Sequence, residues 1–458
     1  MARWGDLPSD IVTQILARLP AAAVQRFRVV CSTWRDIIDG GDLGPDADGQ
    51  FIAMWRRYRR RRPAMPLYFI RRNFSLGRQG PEHQGIARVG LHALDLAARE
   101  AVPLLHFADV ASPEEAEVGV FALDLDGDMA NPGSAFFVEA SCDGVLLLSY
   151  EDRFYLCNPA TALWASLPTI DHDQVIVGFY AREPSGSGAA REYSVIYVVK
   201  SQGSDASYWI RELRALLDDA VYEIGTPMSL GWDPQLLSLL LAPLPPARQA
   251  PPILVRSILY WAPKDMSDSA IVLFDTISEN FSLITASTHI SRGFQLLDVN
   301  GVIAISAINL TRTSIEIWVR QDHEKEPWGL RFTVDLPERT LTDGFGYDPF
   351  RRPFVYFIGQ EVHILLPCLY SILHWRNGAV RQLYQYVRPH HWAIMTPHIF
   401  EESLEINTFL LAPHFNDDDD DDDDDHKPPF KPAAGLEEQE SGWPSQVSTR
   451  RAVVLLLL

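Results

Sequence analysis

The chain has 458 residues, 47% of them hydrophobic, which is enough for a sizeable core and for more than one domain. Its formal net charge is −20 at pH 7, which argues against a protein that coats nucleic acid by neutralising phosphates. No window reaches the roughly 18 apolar residues of a membrane span and no secretory signal is visible, so no membrane partner is expected. The four cysteines include no C-x-x-C pair, which predicts free thiols in a reducing compartment.

Three short helices are predicted within residues 1–48. The first lies between two Leu-Pro pairs, and Ile11, Ile15 and Leu19 recur every four residues to give one broad apolar face. Pro20 ends this helix and suits the first turn of the next one. A unit of this size rarely completes a core by itself, so we expect part of its apolar surface to be buried against another protein.

The spacing of these residues resembles that of an F-box. The pattern L-P-x-x-I-x-x-x-I-L-x-x-L-P over residues 7–20, followed by V-C-x-x-W-R over residues 30–35, covers about residues 4–39 together with its flanks. The resemblance implies binding to the Skp-type adaptor of an SCF (Skp–cullin–F-box) ubiquitin ligase and, through it, to a cullin. The adaptor-binding residues that it implies are Leu7, Pro8, Ile11, Ile15, Leu16, Leu19, Pro20, Val24, Val30, Cys31 and Trp34.

One departure from the family pattern is Ala21-Ala22-Ala23, where members often carry polar or charged residues. We expect this departure to affect the affinity for the adaptor. The alternative interpretation of the segment is an ordinary three-helix cap on a larger domain.

Residues 49–66 form a basic linker or helix that contains the run RRYRRRRP. The favoured interpretation is a solvated helix that ends at Pro63, with Phe51, Met54 and Trp55 packed inward. The alternative is a nuclear import signal or a nucleic-acid patch. The expected localisation is the nucleus, the cytoplasm or both.

Residues 67–412 have the texture of short strands separated by turn residues. The passage 143–149 (DGVLLLS) matches 300–306 (NGVIAIS), 157 residues further on. Asn158 and Trp164 match Asp275 and Phe281, both at an offset of 117 residues. Further copies are predicted at 208–210, 315–318 and 372–375, whereas residues 212–220 are predicted to be helical.

Equal offsets at both ends of a segment indicate a repeated unit of about 50 residues, near the length of a kelch-type blade. The predicted fold class is therefore α+β multidomain, a three-helix F-box followed by an all-β repeat domain, interpreted as a β-propeller of about six blades. The alternative is a β-sandwich with an added strand domain.

The same passages resemble the F-box-associated domains common in plants. The resemblance rests on residues 141–146 (SCDGVL), 158–161 (NPAT), 167–168 (LP), 274–281 and 316–319, and it covers the rest of the body only in patches. It implies a substrate-receptor domain for an unknown protein target, which the ligase complex would ubiquitinate.

The sequence contains no G-x-S-x-G, H-E-x-x-H or Walker motif, and its Gly186-x-Gly188 pair lacks the third glycine of a dinucleotide loop. No catalytic residue, cofactor or metal ligand is therefore predicted, and ubiquitin transfer is assigned to partner subunits. Two alternatives remain: a glycan-active propeller enzyme with paired carboxylates in its channel, and an adaptor-bound regulator that delivers no substrate.

Residues 413–458 are predicted to be a disordered acidic tail. Nine consecutive aspartates, residues 417–425, repel one another and offer nothing apolar to bury. Deleting residues 416–458 is therefore expected to leave the melting temperature nearly unchanged.

Overall fold

The computed structural model of the chain describes residues 8–39, 48–59, 64–74, 86–98, 100–107, 137–150, 153–167, 174–182, 191–199, 207–213, 228–229, 252–262, 270–286, 294–309, 314–321, 328–336, 353–358, 360–368, 371–376, 379–385, 391–404, 410 and 430–432. Several predicted features lie outside these residues. They are Leu7, the arginines at 60–62, the helix at 214–220 and the acidic run at 417–425.

The described N-terminal residues form four helices: α1 (Ser9–Leu16), α2 (Ala21–Phe27), α3 (Ser32–Asp39) and α4 (Asp48–Arg59). Pro8 and Pro20 directly precede α1 and α2, where a missing N–H costs no helical hydrogen bond. The helical unit is thus larger than the predicted three helices, because α4 packs against the others. Phe51 and Trp55 of α4 are buried, which confirms that these two side chains point inward.

The described residues that follow α4 form six antiparallel sheets. Blade 1 contains β1 (Met65–Phe74), β2 (Ile86–Asp95), β3 (Glu100–Phe107), β24 (His391–Phe400) and β25 (Phe430–Pro432). Blade 2 contains β4 (Phe137–Cys142), β5 (Val145–Tyr150), β6 (Arg153–Asn158) and β7 (Leu163–Ser166). Blade 3 contains β8 (Gln174–Arg182), β9 (Glu192–Val199), β10 (Ser207–Leu213) and β11 (Met228–Ser229).

The other three blades repeat the four-stranded pattern. Blade 4 contains β12 (Ile253–Val255), β13 (Ile258–Trp261), β14 (Ala270–Asp275) and β15 (Asn280–Thr285). Blade 5 contains β16 (Gln295–Asp298), β17 (Ile303–Ile308), β18 (Ser314–Arg320) and β19 (Trp328–Asp335). Blade 6 contains β20 (Phe354–Ile358), β21 (Glu361–Cys368), β22 (Ser371–Arg376) and β23 (Ala379–Gln385).

Apolar clusters join each blade to the next and close the ring. Separate buried clusters lie between blades 1 and 2, 2 and 3, 3 and 4, 4 and 5, and 5 and 6. A sixth cluster closes the ring, where Tyr68 and Met395 of blade 1 pack with Tyr356 and Leu365 of blade 6. A closed ring of antiparallel sheets is a β-propeller, which confirms the predicted fold class over the β-sandwich.

Blade 1 is built from both ends of the propeller sequence. Strand β24 pairs antiparallel with β1 and supplies the inner strand of this blade, while β1 to β3 come from the beginning of the body. The Thr396 hydroxyl donates to the Leu67 carbonyl at 3.0 Å, and the Tyr356 hydroxyl donates to the Thr396 carbonyl at 3.2 Å. These contacts fasten the two ends of the ring to each other and to blade 6.

The repeated sequence passages correspond to equivalent strands of different blades. Residues 155–158 and 272–275 end the third strands of blades 2 and 4, and 208–210, 315–318 and 372–375 also lie on third strands. The Asn158 and Asp275 side chains each accept hydrogen bonds from the turn that follows, at Ala160 N (3.0 Å) and Ile277 N (2.8 Å). This shared turn chemistry explains the equal offsets. The helix predicted at 212–220 is wrong at its start, because Glu212 pairs with Ser194 in blade 3.

The predicted disordered tail contains a strand, which corrects that boundary. Residues Phe430–Pro432 pair antiparallel with β3 at the outer edge of blade 1. Phe430 is buried, so the tail does have an apolar side chain to pack despite the acidic run before it. The expectation that deletion of 416–458 has no effect on the melting temperature therefore no longer follows.

Candidate functional site

The four helices share one buried core with the propeller. Its buried members come from all four helices and from two propeller segments: Val12, Leu16, Ala17, Ala21, Val24, Ile38, Phe51, Trp55, Ala160 and Leu404. The Trp55 indole N–H donates to the Leu19 carbonyl at 3.1 Å, which ties α4 to the turn between α1 and α2. The core is therefore completed within this chain by α4 and the propeller, which leaves the opposite side of α1 and the α2–α3 turn uncovered.

The uncovered side carries large apolar residues that are exposed to solvent. Ile11 is 39% exposed, Val29 is 80% exposed and Val30 is 56% exposed. Pro8 and Cys31 are also exposed. We call Pro8, Ile11, Val29 and Val30 the exposed apolar set. Singly exposed apolar residues are ordinary, whereas several in one small helical unit are candidates for contact with a protein partner.

The structure divides the predicted adaptor-binding residues into three groups. Pro8, Ile11, Pro20, Val30 and Cys31 are exposed, and Ile15, Leu19 and Trp34 are partly buried. Leu16 and Val24 are fully buried in the core of the helical unit. The adaptor-binding role of all these residues stays a prediction. Helical periodicity alone placed Ile15 and Leu16 on the same broad face and could not separate them.

Val29 was missed by sequence reasoning, although it is the most exposed of these side chains. It follows the end of α2, where the chain leaves the helical pattern, so apolar periodicity gives no signal for it. The turn that presents it is held by Arg28, whose guanidinium pairs with Asp39 at 2.9 Å and donates to Gln25 at 3.1 Å. The Arg35 side chain adds a hydrogen bond to the Arg28 carbonyl at 3.2 Å.

A buried carboxylate, that of Glu402, links the helices to the propeller. Glu402 lies just after β24 and is 8% exposed. Its Oε2 accepts the backbone N–H of Ala21 at 3.3 Å, at the start of α2, and lies 3.6 Å from the guanidinium of Arg59 in α4. A carboxylate at a helix N-terminus is favoured by the helix dipole, so Glu402 fixes α2 and α4 on one face of the propeller.

The neighbouring Glu401 is surrounded by charged groups of both signs. Burial raises the pKa of its carboxyl, and the nearby Asp143 raises it further, while Arg59 and Arg191 oppose the shift. Arg191 is paired directly with Asp143. The Asp143–Arg191 ion pair and Arg59 of α4 therefore surround Glu401 with charge beside the docked helices.

A cavity with a volume of about 350 Å³ lies between blades 5 and 6. Its described lining consists of Val299, Asn300, Val319, Gln321, Gly329, Leu330, Arg331, Phe332 and Phe357. These side chains provide apolar contact, two amides and one guanidinium. Such groups suit the binding of a ligand.

Cys31, Cys142 and Cys157 carry free thiols, as predicted, and burial raises the pKa of the Cys142 and Cys157 thiols, which keeps them protonated and unreactive. The described residues contain no group of three or more His, Cys, Asp or Glu that could hold a metal ion. No described helix is long and apolar enough to cross a membrane.

Comparison with known families identifies both parts of the chain. The F-box domain family matches residues 4–44, and the F-box associated beta propeller domain family matches residues 255–349. The chain is a plant-type F-box protein with a C-terminal F-box-associated domain.

Individual relatives agree with this assignment. F-box protein At3g07870 of Arabidopsis thaliana is 25% identical over 356 residues, which cover 72% of each chain. F-box/kelch-repeat protein At4g19930 of the same plant is 23% identical over 73% of this chain and 70% of its own length. A putative TolB from Agrobacterium tumefaciens aligns with 72% of this chain and 98% of its own at 11% identity, with a TM-score of 0.30, too low to carry an argument.

Proposed function

We propose that this protein is the substrate-receptor subunit of an SCF-type ubiquitin ligase. The F-box binds the Skp-type adaptor through the exposed apolar set and thereby joins the cullin, while the propeller binds the protein that is to be ubiquitinated. The observation that carries the proposal is the exposure of Ile11, Val29 and Val30 on an F-box whose own core is already complete.

The docking of the helices on the propeller supports the receptor role. Glu402 contacts both α2 and α4, and Ala160 and Leu404 of the propeller belong to the helical core. An adaptor bound to the exposed side would therefore be held at a defined position relative to the blades. Such a connection suits a subunit that presents a bound protein to a transfer centre on another subunit.

Affinity capture from a plant lysate tests the proposal. The full chain is compared with an Ile11→Asp/Val30→Asp variant, and captured proteins are identified by mass spectrometry. The wild type should capture the Skp-type adaptor, a cullin and further proteins, and the variant should lose the adaptor and cullin but retain the further proteins. Equal adaptor capture by both chains, or its absence from both, would overturn the proposal.

A matched control is Ile277→Asp. Ile277 is 78% exposed on the turn between β14 and β15, so its replacement puts a carboxylate in place of an exposed isoleucine away from the F-box. This variant should capture the adaptor as the wild type does, which separates loss of the docking surface from a general effect of added charge.

A further inference from the structure

The outer edge of blade 1 is occupied by a very short segment from the far end of the chain. Phe430 pairs with Phe107, Lys431 with His106, and Pro432 with Leu105. The strand has only these three residues, and Pro428 and Pro429 directly precede it. Because proline cannot donate to a ladder, the segment contributes few backbone hydrogen bonds to β3.

One aromatic side chain anchors the segment. Phe430 is 2% exposed, and its ring lies 6.3 Å from that of Phe107 and 5.7 Å from that of Tyr155, edge-to-face in both pairs. Phe107 belongs to blade 1 and Tyr155 to blade 2. We call the site formed by Leu105, Phe107 and Tyr155, beside the edge of β3, the aromatic slot.

The connection to the rest of the propeller is long. Leu410 is fully buried in the cluster between blades 2 and 3, and residues 411–429, which include nine consecutive aspartates, separate it from Phe430. A three-residue strand held by one aromatic anchor is a ligand that a second segment can displace.

We propose that the aromatic slot and the edge of β3 are a docking site for an extended segment of another protein, and that Phe430–Pro432 is its resident occupant. The segment would add to the sheet as a strand and place one aromatic side chain between Phe107 and Tyr155. Strand addition supplies backbone hydrogen bonds, and the slot supplies selectivity for the aromatic ring. This inference goes beyond the proposed function, because the site lies on blades 1 and 2 and requires no adaptor.

A labelled peptide of residues 426–434, HKPPFKPAA, is the probe. Its binding to the full-length wild type and to the full-length Phe430→Ala variant is measured by fluorescence anisotropy. Removal of the resident anchor should open the slot, so the variant should bind the peptide at least about tenfold more tightly than the wild type. The same peptide with alanine in place of phenylalanine should bind neither chain, and Ile277→Ala should behave as the wild type.

A second measurement uses the wild type alone, so it stands even where Phe430→Ala fails to fold. An excess of the peptide with benzoylphenylalanine at the aromatic position should crosslink within residues 100–107 or at Tyr155, as mapped by mass spectrometry. Three results would overturn the proposal: no peptide binding, binding that does not depend on the aromatic ring, or crosslinks elsewhere.

Light scattering shows whether Phe430–Pro432 occupies the aromatic slot of its own chain or that of a second copy. The wild type should be a monomer, and a dimer that Phe430→Ala dissociates would overturn the intramolecular arrangement. Adaptor binding should be equal in the wild type and in Phe430→Ala, so failure of this inference is distinguishable from failure of the receptor role.

Discussion

At the scale of single residues, two glycines in matching sequence passages have different surroundings. Gly144 and Gly301 both follow a residue with positive φ and have φ of +83° and +77° themselves. A Cβ on Gly144 would lie 2.5 Å from the Ser403 Cβ and 2.7 Å from the Ser403 nitrogen, whereas the nearest atom to one on Gly301 is an Arg256 nitrogen at 3.5 Å. Both glycines have the same turn conformation, but only Gly144 packs against residues 401–403, the segment that contains Glu402.

Gly144→Ala should therefore destabilise the protein more than Gly301→Ala. Gly301→Ala should lose about 1 kcal/mol of stability, mainly because alanine disfavours a positive φ. The Gly144 variant also displaces residues 401–403, and we expect a total loss of about 3 kcal/mol. Thermal unfolding of both variants measures the difference, and equal melting temperatures would show that the 401–403 segment does not press on this turn.

Another residue, His398, makes stability depend on pH. Burial lowers the pKa of His398 to about 4, while an unfolded histidine has a pKa of about 6.5. As the pH falls below 6.5 the unfolded chain takes up the proton first, so stability is lost progressively down to about pH 4. The loss from this residue is about 3 kcal/mol.

His398→Gln should flatten the stability profile in that window. Chemical denaturation of the wild type and the variant between pH 7 and pH 4 measures it. The difference in unfolding free energy between the two chains should shift by about 3 kcal/mol in favour of the variant as the pH falls from 7 to 4. Parallel profiles would rule out His398 as the titrating group.

At the scale of elements, one side of α1 packs in the helical core and contributes to stability, and the other side is exposed and available for binding. Leu16 is fully buried in the helical core, and Ile11 is 39% exposed. Leu16→Ala should cost about 2–5 kcal/mol of stability, because it leaves a cavity. Ile11→Ala should cost less than about 1 kcal/mol. Thermal shift assays test the contrast, and a similar shift for both variants would contradict the assigned orientation of α1.

The elements that sequence reasoning predicted best are those with local signals. The Leu-Pro pairs delimited α1, and the side-chain caps at Asn158 and Asp275 marked equivalent turns of blades 2 and 4. The pairing of β24 with β1 and the strand at 430–432 could not be predicted, because each partner lies more than 300 residues away in sequence. The burial of Leu16 likewise depends on α4 and Leu404, which no periodicity of α1 reports.

At the scale of the whole molecule, β24 closes the ring by pairing with β1. A chain ending at residue 385 lacks the inner strand of blade 1 and the residues that hold α2 and α4. It exposes the edge of β1 and the cluster around Tyr68, so we expect aggregation. A chain ending at residue 412 keeps β24 and loses only the outer strand β25 from the described residues.

The longer chain should remain soluble and unfold cooperatively, at a lower temperature than the wild type because Phe430 no longer covers Phe107. Size-exclusion chromatography and circular dichroism distinguish the two truncations. A soluble, cooperatively folded chain ending at residue 385 would contradict ring closure through β24.

Calorimetric titration of the full chain with the purified adaptor tests whether the exposed apolar set binds a Skp-type adaptor. Burial of each apolar side chain contributes about 1.5–3 kcal/mol, so Ile11→Asp with Val30→Asp should weaken binding by at least about 100-fold. The Ile277→Asp control should retain wild-type affinity, and circular dichroism should show that all three chains are folded. Undiminished affinity in the folded double variant would contradict the claim.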